Sequence, residues 1–194
     1  MTVLIYDTKK HEIFSDSMLC SADIQDDYVP KIFEALVPSN FLVDNPHGIT
    51  SVTAPEYEVW LIACAGTFAL CFEFMQWLKG GALETMPKAM DLDYDYFHGN
   101  FVGYLFAPDG RAFMCAGPIF KLQPLIGRER FVTDGSGGIA ALCALRIKDE
   151  GFDVTPEMAI RAVSKVDTGC GGNIVRGRFE NNVPVIEVIS YEEN

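Results

Sequence analysis

The chain has 194 residues and a mass of 21.5 kDa, is 49% hydrophobic and 22% charged, and carries a net charge of -12 with a pI near 4.6. A chain of this length folds most simply as one domain, which buries about 70% of the surface that its unfolded form exposes. The acid excess without clustered Lys and Arg excludes an ordinary nucleic-acid partner; no apolar run reaches the roughly 18 residues of a membrane span, and no basic segment of a signal peptide opens the chain, so a cytoplasmic protein away from membranes is expected.

The first segment, Thr2-Val3-Leu4-Ile5-Tyr6, reads as an apolar strand, paired through Asp7-Thr8-Lys9-Lys10 with a second strand over residues 11–16. Asp16 then returns to the neighbourhood of the chain start. Nothing before Thr2 reads as a leader. Methionine aminopeptidase removes Met1 when a small residue follows, and the new terminus would carry a hydroxyl and an amine on one residue. An α-amino group titrates near pH 8, at about 7.7 to 8.0, so it can take the proton of its own hydroxyl, the N-terminal form of an activated nucleophile. On its own, Thr2 equally suits a β-branched residue starting a strand.

Residues 19–35 give no clear pattern, and from Glu34 to Glu58 turn residues dominate (Pro38, Asn40, Asn45-Pro46, Gly48, Pro55), which predicts an irregular insertion around at most one short strand. Tyr57–Ala63 is a strongly apolar strand that turns at Ala65-Gly66-Thr67 into a helix over about 68–79. That helix is apolar around most of its circumference, so it should be buried or packed in an assembly. Within residues 82–98, Asp91-Leu92-Asp93-Tyr94-Asp95-Tyr96 reads as a solvated acidic loop, since it lacks the glycine and closing glutamate of a calcium loop. A hairpin over 101–107 and 111–116 follows, then a strand over 130–133, and helices over about 139–149 and 156–167. Thr155 suits the N-cap of the second helix, with Pro156 at its first position. Residues 173–179 and 183–190 close the chain as a hairpin. Antiparallel pairs alternating with paired helices predict an α+β fold, with sheets covered on their outer faces by helices.

Several motifs compete for the chemistry. Gly135-Ser136-Gly137-Gly138-Ile139-Ala140 matches the letters of a dinucleotide fingerprint, but two helices in succession leave no second parallel strand to complete that unit. Asp134 in front of the motif also excludes a G-x-S-x-G elbow. Cys170, between Gly169 and Gly171, could be a thiol nucleophile if a histidine stood beside it. The six cysteines (Cys20, Cys64, Cys71, Cys115, Cys143, Cys170) contain no C-x-x-C pair and read as reduced thiols. With His11, His47 and His98 they make no zinc spacing, so neither a metal nor another cofactor is expected.

Taken in order, Thr2, Asp16, Lys31, Ala65-Gly66, Gly135-Ser136-Gly137-Gly138 and Asp167-Thr168-Gly169-Cys170-Gly171-Gly172 form a set. In this set the chain resembles the β-type subunits of proteasomes and the related peptidase partner of a bacterial ATP-driven unfoldase, among the N-terminal nucleophile hydrolases. The likeness covers residues 2–33, 59–79 and 101–190. It implies a four-layer αββα sandwich of two antiparallel sheets flanked by helix pairs. It also implies a threonine-type peptidase in a closed homo-oligomeric ring, acting on peptides or on unfolded proteins fed by an unfoldase. By the resemblance, Thr2 would be nucleophile and general base, and Lys31, held by Asp16, would lower the effective pKa of its hydroxyl. The Gly66 N–H would face the oxyanion, and Ser136 and Asp167 would bond the amine. Val29, Cys64 and Phe68 would line the pocket for the residue before the cut.

Three features depart from the family's pattern. Cys170 stands where the family has serine, the hairpin from Thr2 to Asp16 is two residues shorter, and the segment 34–58 matches neither relative. If Met1 is retained, Thr2 has an amide in place of an amine. A catalytically silent structural subunit and a small-molecule amidase of the same superfamily are the alternatives.

Overall fold

The computed structural model describes residues 2–20, 25–26, 31–38, 57–66, 71, 74, 78, 101–116, 123–125, 129–147 and 151–189. The strands in order are β1 (Leu4–Asp7), β2 (Glu12–Asp16), β3 (Leu19–Cys20), β4 (Gln25–Asp26), β5 (Ile32–Pro38), β6 (Tyr57–Gly66), β7 (Phe101–Phe106), β8 (Ala112–Ala116), β9 (Gln123–Pro124), β10 (Phe131–Asp134), β11 (Ile174–Glu180) and β12 (Val183–Ile189). Helix α1 (Gly138–Arg146) and helix α2 (Pro156–Ser164) lie between β10 and β11. Cys71, Phe74 and Leu78 are also helical, in the segment expected as a helix.

The fold is α+β, built on two five-stranded sheets, β10-β1-β2-β11-β12 and β5-β6-β7-β8-β9, with β3 and β4 forming a small pair. Every pairing among the described residues is antiparallel. This removes the parallel unit that a dinucleotide fingerprint requires.

Period-two alternation explains why residues 3–6, leading into and along β1, are apolar. Leu4 and Tyr6 belong to a cluster with Leu61, Ala63, Val102 and Tyr104 of the other sheet. Val3 and Ile5 point the opposite way and pack with Ala141 and Leu145 of α1 and Ile160 and Val163 of α2. A strand buried on both faces reads as a continuous hydrophobic run, and each large side chain so buried contributes about 1.5 to 3 kcal/mol. A third cluster lies on the other face of the second sheet, where Trp60, Ile62 and Leu105 meet Phe74 and Leu78.

Local signals agree with these elements. The Thr155 side chain accepts from Met158 N at 3.3 Å and caps α2. Asn181 and Asn182, at φ 51° and 64°, make the tight turn between β11 and β12, a geometry that matches strand twist. Of the stretch read as an irregular insertion, Glu34–Pro38 belong to β5, which pairs along its whole length with β6 from Ile32↔Ala63 to Pro38↔Tyr57. Residues 39–56 and the acidic tract 91–96 lie outside the described residues.

Candidate active site

Thr2 leads into β1 and is 6% exposed. β10 runs beside β1, with Leu4 opposite Asp134, so the turn that follows β10 arrives next to Thr2. There the Thr2 N–H donates to Ser136 Oγ at 3.3 Å, and Gly137 N donates to the Thr2 carbonyl at 3.2 Å. Gly135 allows this approach: its φ is +85°, and a Cβ on it would lie 2.2 Å from the Thr2 carbonyl oxygen. Only glycine combines that dihedral with that contact.

Ser136 passes the chain of bonds onward. Its hydroxyl donates to Asp167 Oδ2 at 3.3 Å and lies 3.7 Å from Cys170 Sγ. Asp167 also accepts from Gly169 N at 2.9 Å and from Cys170 Sγ at 3.2 Å. The Gly169 N–H first, and then the Cys170 and Ser136 bonds, hold the Asp167 carboxyl below its usual range. It therefore stays an acceptor, which orients the Ser136 hydroxyl toward it and leaves that oxygen's lone pairs for the nitrogen of Thr2. Burial pushes the Cys170 thiol up to about 12. It is protonated at neutral pH and acts as a donor, and this weighs against the thiol-nucleophile reading.

Asp16 and Lys31 meet beside Val3, the residue after Thr2. Asp16 ends β2, wholly buried, and Lys31 directly precedes β5 in the other sheet, with its Nζ 2.7 Å from Asp16 Oδ1. The same oxygen accepts from Val3 N at 2.8 Å, and Oδ2 accepts from Gly171 N at 3.2 Å. A buried ion pair needs such a full complement of bonds to offset desolvation. Gly171 in turn accepts through its carbonyl from Ser17 N and Met18 N, and Ser17 Oγ accepts from Asn173 N at 2.8 Å. The loop after α2 thus serves both halves of the site, holding Asp167 at one end and Asp16 at the other.

Gly66 closes β6 at φ +119° and is exposed. Cys64, two residues earlier, is 4% exposed and packed in the cluster of Trp60, Phe74 and Leu78. Val29 and Phe68, the other two residues expected at the pocket, lie outside the described residues. A cavity of about 210 Å³ lies at the opposite end of β1, lined by Asp7, Glu12, Arg130 and Arg176 among others, and none of the residues above borders it.

Two participants escaped the sequence reading. Tyr104 of β7, 1% exposed, donates its hydroxyl to Asp134 Oδ2 at 2.8 Å, and Asp134 Oδ1 accepts from Gly135 N at 2.9 Å. Together they fix the turn that carries Ser136. The only signal was a tyrosine inside an apolar strand, whose hydroxyl needs a partner once buried.

No family model matches this sequence, and no curated protein matches it significantly. Solved structures do. A protein called BPH from Thiobacillus denitrificans, in complex with epoxomicin, is 14% identical, covers 98% of this chain and 100% of its own, and superposes with a TM-score of 0.55. Eukaryotic HslV from Trypanosoma brucei is 15% identical over 98% of this chain and 100% of its own, at 0.51. A Gly-1 mutant of Anbu from Hyphomicrobium sp. strain MC1 is 12% identical over 99% and 88%, at 0.59. The chain shares their fold. The resemblance to proteasome-type peptidases read from the sequence is thus a resemblance of architecture across nearly the whole chain.

Proposed function

We propose that this chain is a threonine-type peptidase of the proteasome β-subunit kind, with Thr2 as its nucleophile once Met1 is removed. The observation that carries the reading is the bonded series from Thr2 N through Ser136 Oγ to the Asp167 carboxylate, flanked by the buried Lys31–Asp16 pair. With the peptide bond to Met1 gone, the nitrogen becomes an amine that accepts the proton of the Thr2 hydroxyl, directly or through one water. The hydroxyl oxygen attacks the substrate carbonyl, and the amine returns the proton to the leaving nitrogen. Water then releases the acyl group by the same steps. The Lys31 ammonium favours the alkoxide. The Gly66 N–H donates to the oxyanion, a contact worth about 2.7 to 4 kcal/mol in other hydrolases. Val29, Cys64 and Phe68 bound an apolar pocket, and Cys170 assists Asp167 as the family's serine would.

We read the three apolar clusters as the interfaces of a four-layer αββα sandwich, in one domain with an insertion at about 34–58 whose first residues continue β5. The apolar helix around Phe74 suits subunit contact in a closed homo-oligomeric ring, open to peptides or to protein delivered by an ATP-driven unfoldase in the cytoplasm. Intact-protein mass spectrometry should find Met1 absent. An epoxyketone or β-lactone should label Thr2, and Thr2→Ala should abolish cleavage of fluorogenic peptides; a fully active Thr2→Ala variant ends the proposal. The second reading, a silent structural copy, is favoured by Cys170, since a thiol is a weaker hydrogen-bond partner than a hydroxyl. Complete retention of Met1 with no labelling would select it.

A further inference from the structure

The residues of the proposed function are divided between the two sheets. Thr2 leads into β1, Asp16 ends β2 and Ser136 follows β10, all in the first sheet, whereas Lys31 precedes β5 and Gly66 ends β6 in the second. Hydrogen bonds within a sheet set the register of its own strands, so the spacing between the two groups falls to contacts that cross from sheet to sheet. Apolar packing there is non-directional, whereas a hydrogen bond fixes both distance and angle.

The strand registers bring such a bond to this place. Ile32, Ala63 and Tyr104 lie opposite one another across β5, β6 and β7, and all three belong to the cluster shared with the first sheet. This row is next to Lys31 on β5 and three residues before Gly66 on β6. In the first sheet, Val132 packs against the same cluster, and alternation along β10 turns Asp134 to the same side. The Tyr104 hydroxyl, on a residue 1% exposed, donates to Asp134 Oδ2 at 2.8 Å, while Asp134 Oδ1 accepts from Gly135 N at 2.9 Å. One carboxylate thus joins the second sheet to the start of the turn. That turn holds Thr2 at both its backbone groups, through Gly137 N on the carbonyl and Ser136 Oγ on the N–H.

We infer that Tyr104 is a positioning residue. Acting through Asp134, it holds the Ser136 turn, and Thr2 with it, at a set distance from the edge of the second sheet that carries Lys31 and Gly66. The Lys31–Asp16 ion pair crosses the same gap, and the tyrosine adds a second tie on the Ser136 side. A single tie lets the sheets pivot about it; two separate ties resist rotation as well as separation. The nucleophile and the oxyanion donor then keep the alignment that attack on a carbonyl requires. The catalytic consequence rests on the function proposed above; the tie itself does not.

The experiment compares the full chain with Tyr104→Phe, Asp134→Ala, Asp134→Asn and the double variant Tyr104→Phe/Asp134→Ala. Tyr104→Phe keeps the ring in its apolar cluster and deletes the hydroxyl. Its kcat on fluorogenic peptides should fall by about 10- to 10²-fold with KM unchanged, the pattern of an alignment that counts only in the transition state. Asp134→Asn can keep both bonds, with its carbonyl oxygen accepting from Gly135 N and its amide donating to the tyrosine oxygen, so it should lose far less than Asp134→Ala. The double variant should be no worse than Asp134→Ala, because the two side chains act as one link. Hydrogen exchange over residues 134–138, read by mass spectrometry, should be about fivefold faster in Tyr104→Phe, as loss of one hydrogen bond predicts. Unchanged exchange, unchanged kcat, a rise in KM alone, or equal losses in Asp134→Asn and Asp134→Ala overturns the proposal. Asp134→Ala carries both readouts should Tyr104→Phe fold poorly. Exchange needs no substrate, so a parent chain that cleaves nothing refutes the peptidase reading, while faster exchange in Tyr104→Phe still upholds the tie.

Discussion

Asp16→Ala removes the acceptor on which the Lys31 ammonium, Val3 N and Gly171 N converge. The ammonium is 8% exposed as a side chain and its partner 0%, so alanine takes the counter-charge away from a buried ammonium. Breaking a buried pair by deleting one member costs about 3 to 5 kcal/mol. A chain of this size has a total stability of about 5 to 15 kcal/mol. Taking about 4 kcal/mol, and a shift of about 2 to 4 °C per kcal/mol for 150 to 250 residues, the melting temperature should drop by about 8 to 16 °C. Thermal unfolding followed by circular dichroism reads this directly. The companion variant Asp16→Ala/Lys31→Met removes both charges and should recover much of the loss, because an apolar replacement for a buried pair is often neutral or better. If Asp16→Ala melts within about 2 °C of the parent, or the double variant is no more stable than the single one, the pair is not the buried link described here.

Three further outcomes follow from the same geometry. Ser136→Ala takes away the acceptor of Thr2 N and the link to Asp167, so peptide cleavage should fall by about 10² to 10⁴ with little change in melting temperature; an active variant would remove Ser136 from proton transfer. Gly135→Ala puts a side chain at φ +85° and 2.2 Å from the Thr2 carbonyl oxygen, so it should cost more than the roughly 1 to 2 kcal/mol of left-handed strain alone. Gly151→Ala, at φ +99° with nothing within 4 Å, isolates the strain in urea unfolding, and equal losses in the two variants would deny the clash. Asp167 has a folded-state pKa below its unfolded value, so its contribution is complete above about pH 4 and is lost as pH falls through the folded value. Asp167→Asn should lack that part of the acid decline in urea midpoints, and parallel curves would refute the assignment.

The strands with one strong signal were legible in the sequence. Residues 4–6 of β1, residues 60–65 of β6 and β7 are continuous apolar runs because both their faces are covered, and the hairpin turn at Asn181 and Asn182 carries the residues its dihedrals demand. β5 was hidden because Pro38 and the turn-rich residues after it outweighed Ile32–Val37, whose pairing with β6 depends on a partner far along the chain. β9, two residues long, has no periodicity to detect. At the candidate site, the acidic and hydroxyl side chains could be picked out by order and spacing. The supports from Tyr104 and Asp134 could not, since Tyr104 reaches Asp134 through a contact set by the tertiary fold.

The partners of the leading residue come from remote stretches: Thr2 N meets Ser136 across 134 residues, and Asp16 meets Gly171 across 155. During synthesis Thr2 and Asp16 emerge before these partners and wait, without these contacts, until Ser136 and Gly171 have followed them. Loop closures this long form late, after the local hairpins. A ribosome-bound or truncated product lacking residues from 136 onward would therefore carry Thr2 without its bond to Ser136 and the link to Asp167. On the function proposed above, synthesis of these later segments is in this way a safeguard against premature cutting.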